Sequence, residues 1–196
     1  MAAVWDGLGT RLEGRIVVLE PLRRDHEDGL RKAAADERIW GLMSTDDPEK
    51  WLRYAFEEAE AGIRAPFAIL RSGVAVGSSS YLSLAPEHRR LEIGHTWMNP
   101  STWGTGANVE AKYLLLRHAF EKLACRRVEF KTDALNERAR AALAALPARF
   151  EGVHRKHMLV RGGVSRDSAW YSVIDDEWPE VKRALEARLA TKRPAR

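Results

Sequence analysis

The sequence predicts an α/β (α+β) fold: a single mixed, largely antiparallel sheet of about seven strands with helices on its faces. Three observations carry this. Short alternating or β-branched runs separated by turn dipeptides make hairpins, and amphipathic helical runs set between other strands make crossovers. A composition of 45% hydrophobic and 31% charged residues over 196 positions suits one domain with a real core.

The elements follow in chain order. Arg15-Ile16-Val17-Val18-Leu19, bounded by Gly14 and Pro21, reads as a first strand. Asp25 starts a helix, with helical spacing over 26–35 and again over 48–61, where Trp51, Tyr54 and Ala55 share a face. Asp47 before Pro48 is a cap-plus-proline start, and the loop between the two helices carries Trp40, Met43, Asp46 and Asp47. Strands over 67–71 and 74–84 are joined by the turn Ser72-Gly73. After a turn at Pro86-Glu87-His88 comes a strand over 91–98, where Leu91, Ile93 and Trp97 alternate with Glu92, Gly94 and Thr96. Glu92 therefore points away from the Leu91/Ile93 side. Val109, Tyr113, Leu116, Phe120 and Leu123 form one helical stripe, expected to pack on the sheet. A strand over 128–132, a helix over 136–146 stopped by Pro147, and a strand over 149–160 follow. Arg161-Gly162-Gly163-Val164 turns into a strand over 169–174, and Asp176 opens a last helix. One domain over 1–196 is expected, with a core of about 12–180 and a C-terminal helix and basic tail over 176–196.

Several function classes are disfavoured by composition. No apolar run approaches the roughly 18 residues of a membrane span, and no secretory signal opens the sequence, so the cytoplasm is expected and a membrane is not an expected partner. A single cysteine, Cys125, rules out an internal disulfide and any multi-cysteine metal site, and no metal is expected. The net charge of +4 comes from interleaved charges, a weak signal for nucleic acid, which is not expected as a partner. The basic tail over 191–196 reads as a frayed terminus.

The chemistry concentrates in one stretch. After the 91–98 strand the chain breaks at Asn99-Pro100, bunches Gly104 and Gly106, and enters a long helix. Unpaired amides at a helix start, together with the positive end of the helix dipole, form an anion site that glycines open to close approach. The spacing is neither a Walker loop nor a dinucleotide fingerprint, and two glycines before a helix also read as a tight connection.

The run Met98-Asn99-Pro100-Ser101-Thr102-Trp103-Gly104-Thr105-Gly106, followed by Glu110-Ala111, resembles the acyl-coenzyme-A signature of the GNAT N-acetyltransferase superfamily. It is similar in particular to the ribosomal-protein-alanine N-acetyltransferase (Rim-type) branch, where W-G-x-G often replaces an arginine-led version. Glu92-Ile93-Gly94 and the asparagine-led NERARAAL from Asn136 match two further motifs, and the likeness covers roughly residues 12–180. It implies the GNAT fold, acetyl-CoA as cosubstrate, a primary amine as acceptor and, commonly, a homodimer. It also implies that the backbone of Thr96, Trp97 and Met98 binds the pantetheine arm. Amides of Trp103, Gly104, Thr105, Gly106, Ala107, Asn108 and Val109 would hold the pyrophosphate, and Asn136 would contact the coenzyme. Three positions depart from the pattern. Asn108 replaces a Gly or Ala, Ala139 replaces a serine able to protonate the leaving thiolate, and Pro147 replaces the glycine that ends the helix, implying a different backbone path at that corner.

Aligning amine and thioester is worth roughly 7–11 kcal/mol, whereas one general base or acid contributes about 10²–10⁴-fold. A backbone N–H near Trp97 or Met98 as oxyanion donor would add ~3–4 kcal/mol. At pH 7 an α-amine of pKa ~8 loses about 1 kcal/mol to protonation and a lysine ~4–5 kcal/mol, so low-pKa amines are favoured. Glu92 is the candidate base, directly or through a water; as a residue alternating on a strand it also reads as plain surface. His95 is a second candidate base, or a hydrogen-bonded histidine. Tyr81 is a candidate proton donor, or a core residue. His154-Arg155-Lys156-His157 lies on a predicted strand, so alternation keeps it from forming one patch, and it reads as a solvated face. Trp40, Met43, Trp51 and Tyr54 read as amine-pocket walls or as core, Asp46 and Asp47 as cation attractors or caps, and Lys112 as a phosphate contact or an exposed helix lysine. Cys125 reads as structural, which leaves direct transfer in a ternary complex. Two rival readings are a non-catalytic acyl-CoA sensor or scaffold and a basic nucleic-acid-binding module.

Overall fold

The computed structural model describes residues 5–192. Its eight strands form one sheet. In chain order the elements are β1 (Leu12–Glu13), β2 (Val18–Pro21), α1 (Glu27–Ala33), α2 (Pro48–Glu60), β3 (Ala65–Arg71), β4 (Val74–Ala85), β5 (Arg90–Met98), α3 (Ala107–Glu121), β6 (Arg127–Asp133), α4 (Glu137–Ala144), β7 (Arg149–Val160), β8 (Val164–Ile174) and α5 (Trp178–Ala190). The strand order is β1-β2-β3-β4-β5-β6-β8-β7. Every neighbouring pair is antiparallel except β5 and β6, which are parallel and joined through α3.

The sheet exceeds the expected seven strands because β1, at Leu12–Glu13, precedes the predicted first strand, of which only the second half, continued to Pro21, pairs as β2. Residues 15–17 leave the ladder to bond a buried carboxylate. Glu110 on α3 accepts the amides of Arg15, Ile16 and Val17 at 2.9, 2.5 and 2.7 Å, and a Cβ at position 14 would run into that carboxylate. Gly14 and the first half of the Glu110-Ala111 pair are thus one structural device. At the other end, Asp176 does not cap the last helix, which starts at Trp178 beside Pro179 with no side-chain cap. Asp47 does cap α2, accepting the amides of Glu49 and Lys50.

Two cores sandwich the sheet. One face, with Tyr81, Leu91, Ile93 and Phe130, packs against Leu114, Leu115, Leu185 and Leu189 of α3 and α5. The other, with Ala68 and Trp97, packs against Leu30, Trp40, Trp51 and Phe56 from the α1–α2 region. The predicted α3 stripe does not simply lie on the sheet: Tyr113 and Phe120 stack on Trp178 of α5, with ring centroids 6.4 and 5.2 Å apart. Ala107, Ala111 and Leu115, each fully buried, occupy the core side instead, since small residues let the helix approach closely. Tyr54 also departs from its predicted face. It is exposed while Trp51 and Ala55 are buried.

Alternation along β5 fails at one point. Between the pairs Ser80–Gly94 and Ser78–Trp97 the strand spends an extra residue, and His95 sits at φ 48°. This bulge turns Trp97 to the face opposite Leu91 and Ile93, contrary to the predicted grouping of the three. Pro147 sits at the corner that ends α4, where the Leu146 and Ala148 amides on either side of it both donate to Leu143 O. No helix among the described residues is long and apolar enough to cross a membrane.

Candidate active site

Pairing between β5 and β6 stops early: the register runs only through Arg90–Arg127, Leu91–Val128 and Glu92–Glu129. Beyond Glu92 the two strands separate, because β5 bulges toward β4 while β6 continues along β8 to Asp133. A cleft of about 400 Å³ opens in the gap, lined by Ile93–Met98 on one side and Phe130–Thr132 on the other. Its floor reaches the start of α3, and α4 contributes Asn136, Arg138, Ala139 and Leu143.

At the α3 end, Gly106 is the helix N-cap residue at φ 96°, and a Cβ there would lie 3.0 Å from Lys192 Cγ and 3.1 Å from Ile16 Cδ1. The turn spends part of its hydrogen bonding internally. Trp103 N–H donates to Pro100 O, Thr105 N–H to Thr102 O, and Ala107 N–H to Thr105 Oγ1 at 3.4 Å. Trp103, Thr105 and Ala107 therefore drop out of the expected set of free amides. Among the described residues, the amides of Gly104, Gly106, Asn108 and Val109 make no such bond, and all four residues line the cleft. Asn108 keeps its main-chain donor despite its side chain.

Charge in the cleft is one-sided. Lys112, Lys131, Arg138, Arg166, Arg188 and Lys192 line it against one carboxylate, Glu92. Arg138 lies 3.7 Å over the Trp103 ring, whose indole N–H donates to Met98 O. Lys192 Nζ reaches Gly104 O at 3.4 Å, and Arg15 Nη2 donates to the carbonyls of Leu189 and Lys192. Residues 191 and 192 are thus docked rather than frayed; 193–196 lie outside the described residues. Asn136 lines the cleft, but its Oδ1 caps α4 by accepting Ala139 N–H at 3.0 Å, which leaves its amide hydrogens and one oxygen lone pair for a ligand.

At the opposite end, Glu92 is 2% exposed, not surface. Its Oε2 lies 3.3 Å from Lys131 Nζ and accepts from Ser83 Oγ at 3.2 Å. A Cβ at Gly94 would sit 2.8 Å from Glu92 Oε1, so the third residue of Glu92-Ile93-Gly94 is small to make room for the first. Thr96 Oγ1 bridges Ser79 Oγ at 2.7 Å and Lys112 Nζ at 2.6 Å. Lys112 is neither an exposed lysine nor on the phosphate turn: it is buried, and that burial pushes its pKa down to about 7 against the opposing pull of Glu92.

His95 also lines the cleft, yet burial, then the charges of Arg64, Lys131 and Arg166, press its pKa down to about 3. The imidazole is neutral throughout the physiological range and too weak a base for the assigned role. Tyr81 is brought elsewhere. Fully buried on the α3 face, its hydroxyl donates to Leu115 O at 2.7 Å, and it does not line the cleft. Cys125 is buried outside the cleft, its thiol pushed up to about 12 by burial, which suits a structural residue. Asp46 and Asp47 line neither the cleft nor its neighbouring cavity.

Sequence reasoning missed Lys131, Arg138, Arg166 and Lys192. Arg138 was the most accessible, two residues after the Asn136 cap. Arg166 and Lys192 arrive through long-range packing that no local spacing reports. His154 and His157 were expected on opposite sides, yet a register shift between His154 and Met158, with Lys156 at φ 51°, brings both against Trp170, at 4.9 and 5.7 Å. Among the described residues no group of three or more His, Cys, Asp or Glu could hold a metal.

Residues 17–148 match the model of the acetyltransferase (GNAT) domain. A protein from T. thermophilus assigned as an acetyltransferase is 42% identical over 91% of this chain and 96% of its own, with a TM-score of 0.83. A GCN5-related N-acetyltransferase from Brucella melitensis is 33% identical, covering 93% of this chain and 86% of that one at a TM-score of 0.84. Mycobacterium smegmatis RimJ, solved in complex with CoA-disulfide, shares the fold at 23% identity and a TM-score of 0.77, over 96% of this chain and 97% of its own. No curated protein matches the sequence. With a family model spanning more than half its length and a relative above 40% identity, the chain belongs to the GNAT acetyltransferase family and is an acyltransferase.

Proposed function

We propose that the protein moves the acetyl group of acetyl-CoA directly onto a primary amine, a protein N-terminal α-amine or a small-molecule amine, within a ternary complex. One observation carries the proposal: the gap between β5 and β6 has unpaired amides and basic side chains at one end and a buried carboxylate at the other. The pyrophosphate would lie on the amides of Gly104, Gly106, Asn108 and Val109, with Arg138 and Lys192 beside it. The pantetheine arm would run along the backbone of Thr96, Trp97 and Met98, which β6 leaves without a partner.

Acetyl transfer forms a C–N bond and breaks the C–S bond of the thioester. The amine proton passes to Glu92 directly or through a water, and the coenzyme leaves as a thiolate. Lys131 balances the charge of Glu92, and an N–H of the 97–98 stretch serves as oxyanion donor. Ala139 on the cleft wall offers no proton, so water protonates the thiolate, which with a reference pKa of about 8.5 is a tolerable leaving group. One modest base favours amines of low pKa. The whole chain acts as one transferase domain in the cytoplasm, with acetyl-CoA and the amine as its partners and a homodimer as its assembly; neither nucleic acid, membrane nor metal enters the reaction.

The test is release of coenzyme A thiol from acetyl-CoA with a panel of peptides, polyamines and aminoglycosides, for the parent and Glu92→Gln. Transfer with Glu92 as base predicts a fall in kcat of about 10²–10⁴-fold. An unchanged rate and pH profile removes Glu92 from the role. Coenzyme binding without thiol release from any amine points to the sensor reading instead.

A further inference from the structure

A second cavity, of about 270 Å³, adjoins the cleft and shares His95 and Ser44 with it. The rest of its lining comes from Thr45 and α2, from Arg64 just before β3, and from the end of β7 and the turn after it, with Leu159, Val160, Arg161 and Gly162. It therefore meets the cleft at the bulge of β5, and neither glycine of the 104–106 turn lines it.

Three of its lining residues carry buried nitrogens that make no hydrogen bond among the described residues: Arg64 Nη2, Trp51 Nε1 and His95 Nδ1. Arg64 and Trp51 are 3% and 2% exposed, and the guanidinium carbon lies 5.0 Å from the Trp51 ring centroid. The rest of the guanidinium is committed: Nε donates to Ser80 Oγ at 2.8 Å, and Nη1 meets Glu58 Oε2 at 3.3 Å. A buried donor without an acceptor is rare and costly, so several around one cavity mark a ligand's position. Guanidinium and indole nitrogens only donate, so the missing partner is an acceptor. Lys50 adds positive charge to the lining, as does Arg161, whose guanidinium also donates to Met43 O and faces Asp133 Oδ2 at 3.8 Å; among the described residues the cavity's one carboxylate, Glu58, is already engaged by Arg64. The cavity exceeds the room a single water needs.

We infer that this cavity is an acceptor subsite for a carboxylate, so that the preferred substrate is an amine carrying an acid group rather than a polycation. The inference rests on the acetyl-transfer reading above and narrows its substrate class. Arg64 Nη2 and Trp51 Nε1 hold the carboxylate oxygens, and His95 Nδ1 donates in the tautomer that places its proton there. The acid can be an acidic side chain early in a peptide or the C-terminal carboxylate of a dipeptide.

The experiment uses two matched pairs with similar α-amines: Ala-Glu-Ala-amide against Ala-Gln-Ala-amide, and Ala-Ala against Ala-Ala-amide. Thiol release gives kcat/KM for each, and calorimetry with coenzyme A present gives each affinity. The parent is expected to favour the acid over its amide by about tenfold or more in at least one pair, mainly through KM. Which pair responds distinguishes side-chain from terminal carboxylate. Arg64→Met is expected to bring that ratio to within about twofold; because it also strips Ser80 and Glu58 of a partner, Trp51→Phe, which keeps an aromatic ring against Trp97 but removes the indole donor, is expected to lower the ratio in the same direction. Equal kcat/KM and affinity for acid and amide in the parent would overturn the subsite while leaving acetyl transfer standing. An acid preference in affinity without thiol release would support the subsite and overturn the transfer reading. A parent preference that survives both substitutions would also overturn the assignment.

Discussion

Lys112 Nζ donates to Thr96 Oγ1 at 2.6 Å from a buried position in the lining of the cleft, six residues past Gly106 on α3. Its ordinary pKa of 10.5 falls to about 7 there, chiefly through burial. Between these values the unfolded chain binds a proton that the folded protein does not, so stability rises with pH across that window. Below about pH 7 the folded state carries a buried charge, at a cost of roughly 5 kcal/mol. Lys112→Met removes the titration. Thermal unfolding of parent and variant at pH 6, 7.5 and 9 should show the parent gaining on the variant as pH climbs; a constant gap would mean that Lys112 titrates normally.

Gly94→Ala places a methyl 2.8 Å from both Glu92 Oε1 and Leu82 Cδ1. Since φ at this position lies outside the left-handed region, the backbone tolerates the change and the carboxylate must move. Displacement of a positioned base is expected to lower kcat by about tenfold to a hundredfold while leaving coenzyme affinity near the parent's. An equal kcat would show that Glu92 needs no fixed position.

Gly106→Val forces a β-branched residue to φ 96°, roughly 1–2 kcal/mol of backbone strain, and presses on Lys192 and Ile16. The amides around the turn must shift. Coenzyme A affinity, measured by calorimetry well below the melting temperature, should weaken by about tenfold or more. Equal affinity would count against the phosphate cradle.

His95 stays neutral, so it should contribute no limb to the pH dependence of kcat/KM between about pH 5 and 9. Asparagine tolerates the left-handed φ of 48° at this position, which makes His95→Asn the suitable probe. The inflection points should coincide with those of the parent. A limb that disappears in the variant would restore histidine as a proton carrier.

Local patterns in the sequence report what neighbours along the chain decide. The Asp47-Pro48 start, the hairpin at Ser72-Gly73, the 149–160 strand and the glycine turn were all legible because each depends on a few adjacent residues. The misses share one cause, a tertiary partner that overrides a local rule. Residues 15–17 look like a strand, but Glu110 takes their amides. Trp97 and the His154–His157 pair change sides because a bulge absorbs one residue, which alternation cannot foresee. Within the site, the cradle glycines and Glu92 were visible as motifs, whereas Lys131 reaches Glu92 from a strand that is distant in sequence. The second cavity is invisible for the same reason: α2, the start of β3 and the β7 turn meet only in three dimensions.

The brevity of the β5–β6 seam has a mechanical consequence. Among the described residues three ladder pairs, with a few side-chain bonds, stitch the β1–β5 half of the sheet to the β6–β8 half, so the sheet resembles two plates joined along a short weld, with helices on its faces. An occupant of the gap touches both plates and acts as a keystone. Amides on either flank should then exchange more slowly with deuterium when coenzyme A is present, as one cooperative unit and not as two.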